Sequence, residues 1–367
     1  MIRVLHVVSG LGSGGVESLL YNYYKYIDKN EIFFEFITHR PQGLYEKKLL
    51  NMGNCKIHHI SFRREHPIRS AFEAYKIFKA SDSSIVHFHG NKEVCLQLLA
   101  AFIARKKIRI VHSHNPVLGK NIIKRSINNL IKFFLSIFAT NFMASSQIIS
   151  DTSFKNNQRN KEKPIVMKNA IDVEQYTFSE SKREQIRKEL GVEEKFVIGN
   201  IGRFTYQKNH TFIIDIFSKV YKKNENSVLL LIGEGEGKQK IERKVKELGL
   251  EKAVRFLGVR SDIPDLMQAM DVFLFPSNFE GLGIVLIEAQ ASGLQCIASK
   301  KVIPKETNIT DFIEYISLEE SSENWANAVL RYGQGYKRKN TSEQIKIAGY
   351  DLLEQSKWLE NYYKTRG

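Results

Sequence analysis

The chain has 367 residues and a mass of 42.3 kDa, which is too long for one hydrophobic core and suits two domains of ordinary size. With 43% hydrophobic and 26% charged residues and only 7 Pro, the composition excludes a disordered or low-complexity protein, and no apolar run reaches the ~18 residues of a membrane-spanning helix. The formal net charge of +15 is uneven: residues 1–170 carry 26 Lys and Arg against 11 Asp and Glu, whereas 171–367 carry 29 of each.

In chain order, the N-terminal MIRVLHVVSGLGSGG lacks a basic flank and runs into a Gly-rich turn, so it is expected to be a first strand and not a signal peptide. Short β-branched runs recur at 2–9, 32–39, 55–62, 83–90 and 108–115, each followed by a helix-length segment. The alternation resumes at 195–202, 228–233, 253–258, 271–276 and 294–299. Strands alternating with helices predict parallel sheets covered on both faces, here in two doubly wound, Rossmann-like α/β domains with ligand sites at the C-terminal strand ends, in the cleft between them. The boundary is expected in the polar stretch 155–194, giving domains of 1–170 and 171–344. Apolar Ile345, Ile347, Leu352, Leu353, Trp358 and Leu359 imply that the C-terminal segment docks. The odd, scattered Cys55, Cys95 and Cys296 suit a reducing cytoplasm better than a disulfide framework or zinc cluster.

Val94 to Ser150 contains no acid. Within it, GKNIIKRSINNLIKFFLSIF (119–138) places Ile123, Ile127, Leu130, Phe134 and Ile137 at helical spacing, with Lys120, Lys124 and Lys132 along another face. Such a basic amphipathic helix suits an anionic membrane surface, although a core helix with a solvated polar face has the same pattern. No nucleic-acid-binding motif accompanies the charge, so nucleic acid is not expected as a partner.

Four motifs carry chemistry. In DVFLFPSNFEGLGIVLIEAQASG (271–293) a strand and loop lead into a helix ended by Gly293, and the backbone N–H groups at Gly283, Ile284 and Val285 favour an anion. Glu280 and Glu288 could grip sugar hydroxyls there, or simply satisfy the loop and the helix dipole. In FVIGNIGRFTYQKNH (196–210), Arg203 and Lys208 at a strand's C-terminal end suit a diphosphate, unless they are solvated loop cations. In GSGGVE (12–17), Gly14 and Gly15 permit close backbone approach at a helix start, but the spacing is not a dinucleotide fingerprint. GEGEGK (233–238) has acids inside its glycine run, which disfavours a pyrophosphate. The fourth is the pair of H-x-H runs, His87/His89 and His112/His114, each on one strand face. Without downstream acid and His ligands they point to hydrogen bonding with hydroxyls, and no metal is expected.

Taken together, these segments resemble retaining glycosyltransferases of the GT-B fold, family 4, over nearly the whole chain. EGLGIVLIE (280–288) is similar to the family's E-x7-E signature, GRFTYQKN (202–209) to its diphosphate motif, GSGGVE to its glycine loop, and KNAID (168–172) to its domain junction. VHSHN, FLGVRSD and LIEAQASG look most like bacterial capsular or exopolysaccharide transferases. The resemblance implies that Arg203 and Lys208 bind the donor diphosphate, Glu280 the donor sugar and Glu288 the ribose. The backbone around Val259 and Arg260 would meet the base, Gly14 and Gly15 would approach the phosphates or sugar, and His114 would lie near the transferred sugar. It further implies a C-terminal helix, about 345–367, packed back on the first domain. The expected activity is metal-independent transfer from a nucleoside-diphosphate sugar, UDP- before GDP-, to a glycan or polyprenyl-diphosphate-linked acceptor. No cofactor is implied, and the setting is cytoplasmic or peripheral on the inner face of the plasma membrane. A sugar-nucleotide epimerase, or a non-catalytic basic protein binding lipid or nucleic acid, are the competing readings. Ala170 and Gln295 depart from the family pattern, which usually has Gly and Pro there.

Overall fold

The computed structural model describes residues 1–12, 14–40, 43–115, 122–154 and 163–367, without the side chains of 122–125. Ser13, Lys120, the side chains of Ile123, Lys124 and Arg125, and most of the polar run beginning at 155 therefore lie outside the described residues. The chain divides into two compact units, Met1–Ile171 with Asp351–Gly367, and Asp172–Tyr350. No described helix is long and apolar enough to cross a membrane.

The strands of the first unit are β1 (Ile2–Val7), β2 (Ile32–Thr38), β3 (Cys55–His59), β4 (Ile85–His89), β5 (Ile108–Ser113), β6 (Asn141–Ala144) and β7 (Ile165–Val166). Its helices are α1 (Gly15–Tyr26), α2 (Leu44–Asn51), α3 (Pro67–Ala80), α4 (Cys95–Ile103), α5 (Ile122–Phe138) and α6 (Gln147–Phe154). The sheet is parallel, in the order β3-β2-β1-β4-β5-β6-β7, so the strand order reverses between β1 and β4. One face buries Val4, Phe34, Phe36, Ile85 and Ile110 under α1, and the other buries Leu5, Val7, Val86, Phe88 and Val111 under α3 and α4. This two-sided burial explains why the strands read as near-continuous apolar runs.

In the second unit the strands are β8 (Phe196–Ile201), β9 (Ser227–Ile232), β10 (Val254–Gly258), β11 (Val272–Phe275), β12 (Gln295–Ser299) and β13 (Ile313–Ile316). The helices are α7 (Val173–Tyr176), α8 (Glu180–Leu190), α9 (His210–Lys223), α10 (Lys238–Glu247), α11 (Ile263–Ala269), α12 (Ile284–Ala291), α13 (Ser322–Leu330) and α14 (Ser342–Ile347). Its parallel sheet runs β10-β9-β8-β11-β12-β13 and reverses between β8 and β11. The polar α8 is set by its ends: the Ser179 hydroxyl accepts from the Lys182 N–H at 3.4 Å, and Gly191 stops it at φ 58°.

The chain then returns to the first unit as α15 (Leu352–Lys364), which packs on α1 and β1. Ile171 and Asp351 form a parallel bridge at the crossing, where Ala170 is fully buried and fits without a glycine. One expectation is corrected here. The segment from 345 is not one docked helix, because the turn at Gly349 (φ 75°) divides it. Ile345 is buried in the second unit, against which α14 packs, while Ile347 is 78% exposed. The first unit receives only the part from 351.

Candidate functional site

In each sheet the reversal of strand order opens a crevice at the C-terminal strand ends, and the loops that border it are where the singled-out residues fall. In the second unit these are the loops after β8 and β11. They are laced together: the Asn278 N–H donates to Gln207 O at 2.8 Å, Asn278 Nδ2 to Tyr206 O at 2.7 Å, and Asn209 Nδ2 to Pro276 O at 3.1 Å. Asn209 takes φ 56° to turn the first loop into α9, and Gly283 takes φ 78° to turn the second into α12. Ile284 and Val285 are the first residues of α12, so their N–H groups belong to its positive end.

This lacing brings Lys208 and Glu280 together. Lys208 Nζ lies 2.7 Å from Glu280 Oε1, Gln207 Nε2 lies 3.2 Å from Oε2, and the ammonium sits 4.6 Å over the Phe275 ring. Only 16% and 5% of the two charged side chains is exposed, so this is a desolvated pair whose rupture would leave a buried charge. Glu288, one turn into α12, has its pKa pushed up to about 7 by burial, against a hydrogen bond from Tyr176 and the Lys208 charge, which both pull it down. Arg203 stands exposed at the end of β8 with no ion pair to a described carboxylate.

The glycine run after β9 braces that strand end and does not cradle a ligand. A Cβ on Gly233 (φ 137°) would meet Gly202 O at 2.2 Å, and one on Gly235 would meet Phe204 O at 2.7 Å. The loop after β10 carries Val259, 49% exposed, and Arg260, whose Nε and terminal nitrogen bond Asp262 at 2.8 and 2.5 Å.

In the first unit the crevice lies over β1, β4 and β5. The parallel register sets His6 beside His87 and His89 beside His112, with His114 just beyond β5, so five imidazoles stack on one sheet face. Three of them form a hydrogen-bonded chain: His6 Nδ1 to His89 Nε2 at 3.0 Å, and His89 Nδ1 to His114 Nε2 at 3.0 Å. His87 Nδ1 takes the hydroxyl of Tyr363, on α15, at 2.7 Å. Burial drives His6 down to about 3 and His114 to about 4, and holds the other three well below the usual range, so the stack is neutral at pH 7. Ring nitrogens of His6, His87 and His89, and of His89, His112 and His114, lie within 4.8 Å of one another, which is the grouping a metal ion would need. Hydrogen bonds link His6, His89 and His114 within these groupings, while both ring nitrogens of His112 and the Nε2 atoms of His6 and His87 have no hydrogen-bond partner among the described residues.

His89 and His114 floor a cavity of about 410 Å³, and Arg63, Arg64, Lys92 and Lys132 stand on its walls. Gly14 caps α1 in an extended conformation, and a Cβ on Gly15 would meet nothing within 4 Å, so the helix start is open to close approach.

Two family models match the chain: "Glycosyltransferase Family 4" over residues 13–175 and "Glycosyl transferases group 1" over 181–350. The chain belongs to the family 4, group 1 glycosyltransferases. The putative glycosyltransferase EpsF of Bacillus subtilis is 29% identical over 98% of this chain and 96% of its own. An Escherichia coli enzyme named UDP-Gal:alpha-D-GlcNAc-diphosphoundecaprenol alpha-1,3-galactosyltransferase is 29% identical over 63% of this chain and 62% of its own. The structure of HepE from Anabaena, in complex with UDP and glucose, aligns over 99% of this chain and 100% of its own, with a TM-score of 0.81 at 21% identity. The fold is accordingly GT-B, with its two parallel-sheet domains.

For a glycosyltransferase, the second unit brings together Lys208, Glu280 and the start of α12, flanked by Arg203 and Glu288, while Val259 and Arg260 stand apart on the β10 loop. Gly14, Gly15 and His114 belong to the first unit. The sequence reading missed His6, although the alternation of β1 sets it on the face of the H-x-H pairs, and it missed Gln207 and Arg63. Lys132 lines the cavity together with Asn128, Ile131 and Leu135 of α5. Ile127, Leu130 and Ile137 are 52%, 68% and 40% exposed, so the apolar face of α5 turns outward.

Proposed function

We propose that this glycosyltransferase moves a sugar from UDP-sugar to an acceptor hydroxyl with retention of anomeric configuration, in the synthesis of a bacterial surface polysaccharide. The observation that carries this reading is the Lys208–Glu280 pair held at the positive end of α12, with Arg203 on the same loop after β8 and in no ion pair with a described carboxylate. In the reaction the bond from the anomeric carbon to the diphosphate oxygen breaks as the bond to the acceptor oxygen forms. Negative charge grows on the leaving diphosphate, where Lys208, Arg203 and the N–H groups of Gly283 to Val285 stabilise it, and the acceptor's proton passes to the leaving phosphate. Glu280 holds sugar hydroxyls and Glu288 the ribose, both as hydrogen-bond acceptors. The backbone near Val259 and Arg260 meets the base, Gly14 and Gly15 approach the phosphates or sugar, and His114 meets the transferred sugar. None of these roles calls for a metal. UDP is favoured as the carrier because the E. coli relative's name and the HepE complex both contain it.

The acceptor in this proposal is lipid-linked, and the enzyme works on the inner face of the plasma membrane. The outward apolar face of α5, with exposed Leu96 and Ile103 on neighbouring α4, lies in the stretch that has no acid, which suits an anionic bilayer.

Thermal unfolding with millimolar UDP, GDP, ADP or NAD tests the donor. A ligand at 100 times its dissociation constant adds roughly 2.7 kcal/mol, and a rise selective for UDP is expected. A rise with NAD alone, or an epimerised donor without transfer, would sink the proposal. Sedimentation with anionic liposomes at low salt tests the membrane, where failure to bind removes that part alone.

A further inference from the structure

The cavity in the first unit poses a charge problem. Four cations line it, and Glu93 is the one acid among its described lining residues. Arg63, Arg64, Lys92 and Lys132 make no ion pair with any described carboxylate. Arg63 is the most constrained. One terminal nitrogen donates to Ser9 Oγ at 2.5 Å, while the other is buried with no partner. Burial lowers its pKa against the opposing pull of the Glu93 carboxylate, with smaller lowering from the Arg64 and Arg40 charges, and burial lowers that of Lys132. Arg63 and Lys132 are partly withdrawn from water, Arg64 and Lys92 are exposed, and like charges set near one another are held at a cost that a bound anion removes. The floor adds no charge, since His89 and His114 are neutral, but it offers ring nitrogens to hydroxyls.

The second observation is the two-sidedness of α5. Asn128, Ile131, Lys132 and Leu135 face the cavity, and Ile127, Leu130, Phe133 and Ile137 are exposed on the other side. One helix therefore separates a cationic cavity from an apolar outer surface.

We infer that this cavity binds a phosphate or diphosphate group of the acceptor, held by Arg63, Arg64 and Lys132. The inference rests on the transferase reading and deepens it by assigning the acceptor's anionic group a site in the first unit, separate from Arg203 and Lys208. A guanidinium pair suits the several oxygens of a diphosphate, and Lys132 adds a point charge to the same cavity.

The test is calorimetric titration of the whole protein with inorganic pyrophosphate while UDP saturates the donor site. One site is expected. It should weaken at least about tenfold in Lys132→Gln and more in Arg64→Gln/Lys132→Gln, with unfolding temperatures showing that both remain folded. Arg63→Gln is left out of the primary pair because its bond to Ser9 also braces the loop after β1. Absence of pyrophosphate binding overturns the inference, as does binding that is lost in Lys208→Ala and unchanged in the Arg64/Lys132 variants. If pyrophosphate binds as expected but neither UDP binding nor transfer is found, the function reading fails and the anion site stands. Farnesyl diphosphate separates the sources: tighter binding than pyrophosphate marks a lipid-linked diphosphate, and equal binding a water-soluble phosphorylated acceptor.

Discussion

In the second unit the cation beside the helix start is already matched: Lys208 holds Glu280 at 2.7 Å in a pair almost withdrawn from water. In the first unit Arg63, Arg64 and Lys132 line a cavity whose one described acid, Glu93, forms no ion pair with them. A matched pair keeps its geometry before any ligand arrives, and on the proposed function a donor diphosphate would share Lys208 with Glu280. Unmatched cations repel one another until an anion enters, so occupancy stabilises the unit that holds them. The contrast implies that the second unit responds to changes in its own carboxylates, and the first to ionic strength and added anions.

The largest expected effect lies in the pair. Lys208→Ala should lower turnover on the order of 10²-fold, since it removes a donor aimed at growing negative charge, and it should destabilise the second unit by about 3 kcal/mol by stranding Glu280. Lys208→Met/Glu280→Gln separates the two consequences. The double variant should regain much of the lost unfolding temperature and none of the lost turnover. Recovery of both would make the pair structural, and the comparison between the units would collapse.

The glycine loops sharpen the contrast by backbone instead of charge. Gly233→Ala would place a methyl 2.2 Å from Gly202 O at φ 137°, so a loss of about 2–4 kcal/mol is expected in thermal unfolding. Gly15→Ala meets nothing within 4 Å and should change stability by less than about 0.5 kcal/mol. A fall in transfer with Gly15→Ala, at unchanged stability, would mean that a ligand takes up the open space. A fall in stability instead would remove Gly15 from the site.

How far the sequence announced these features depends on how locally each is encoded. The ten runs expected as strands all form, because burial on both sheet faces makes them continuous and apolar. The three it missed, β6, β7 and β13, have only four, two and four residues, too few to show a period. The second unit's residues were legible because each falls at a strand end within a contiguous motif, although their contact spans 72 positions. The first unit's cavity was not, since Ser9, Arg63, His89, His114 and Lys132 come from five separate segments. The rotation of α5 was ambiguous for a related reason. Apolar residues occupy both of its faces, so spacing alone could not say which face Lys132 shares.

The pH response of Glu288 gives the second unit a further signature. Its carboxyl group has a folded pKa of about 7 against an ordinary value of 4.5, so the folded protein holds the proton more tightly than the unfolded chain. Stability therefore falls as pH rises from 4.5 through 7, and linkage puts the loss at about 3 kcal/mol. Glu288→Gln keeps the size and cannot ionise. It should match the parent near pH 5 and unfold at a higher temperature near pH 8. If Glu288 accepts from ribose hydroxyls as a carboxylate, UDP affinity in the parent should also rise with pH through 7, and that rise should vanish in the variant. Parallel stability curves for the two proteins would mean that the carboxyl group is not desolvated as its place in α12 implies, and the second unit would lose its distinctive pH response.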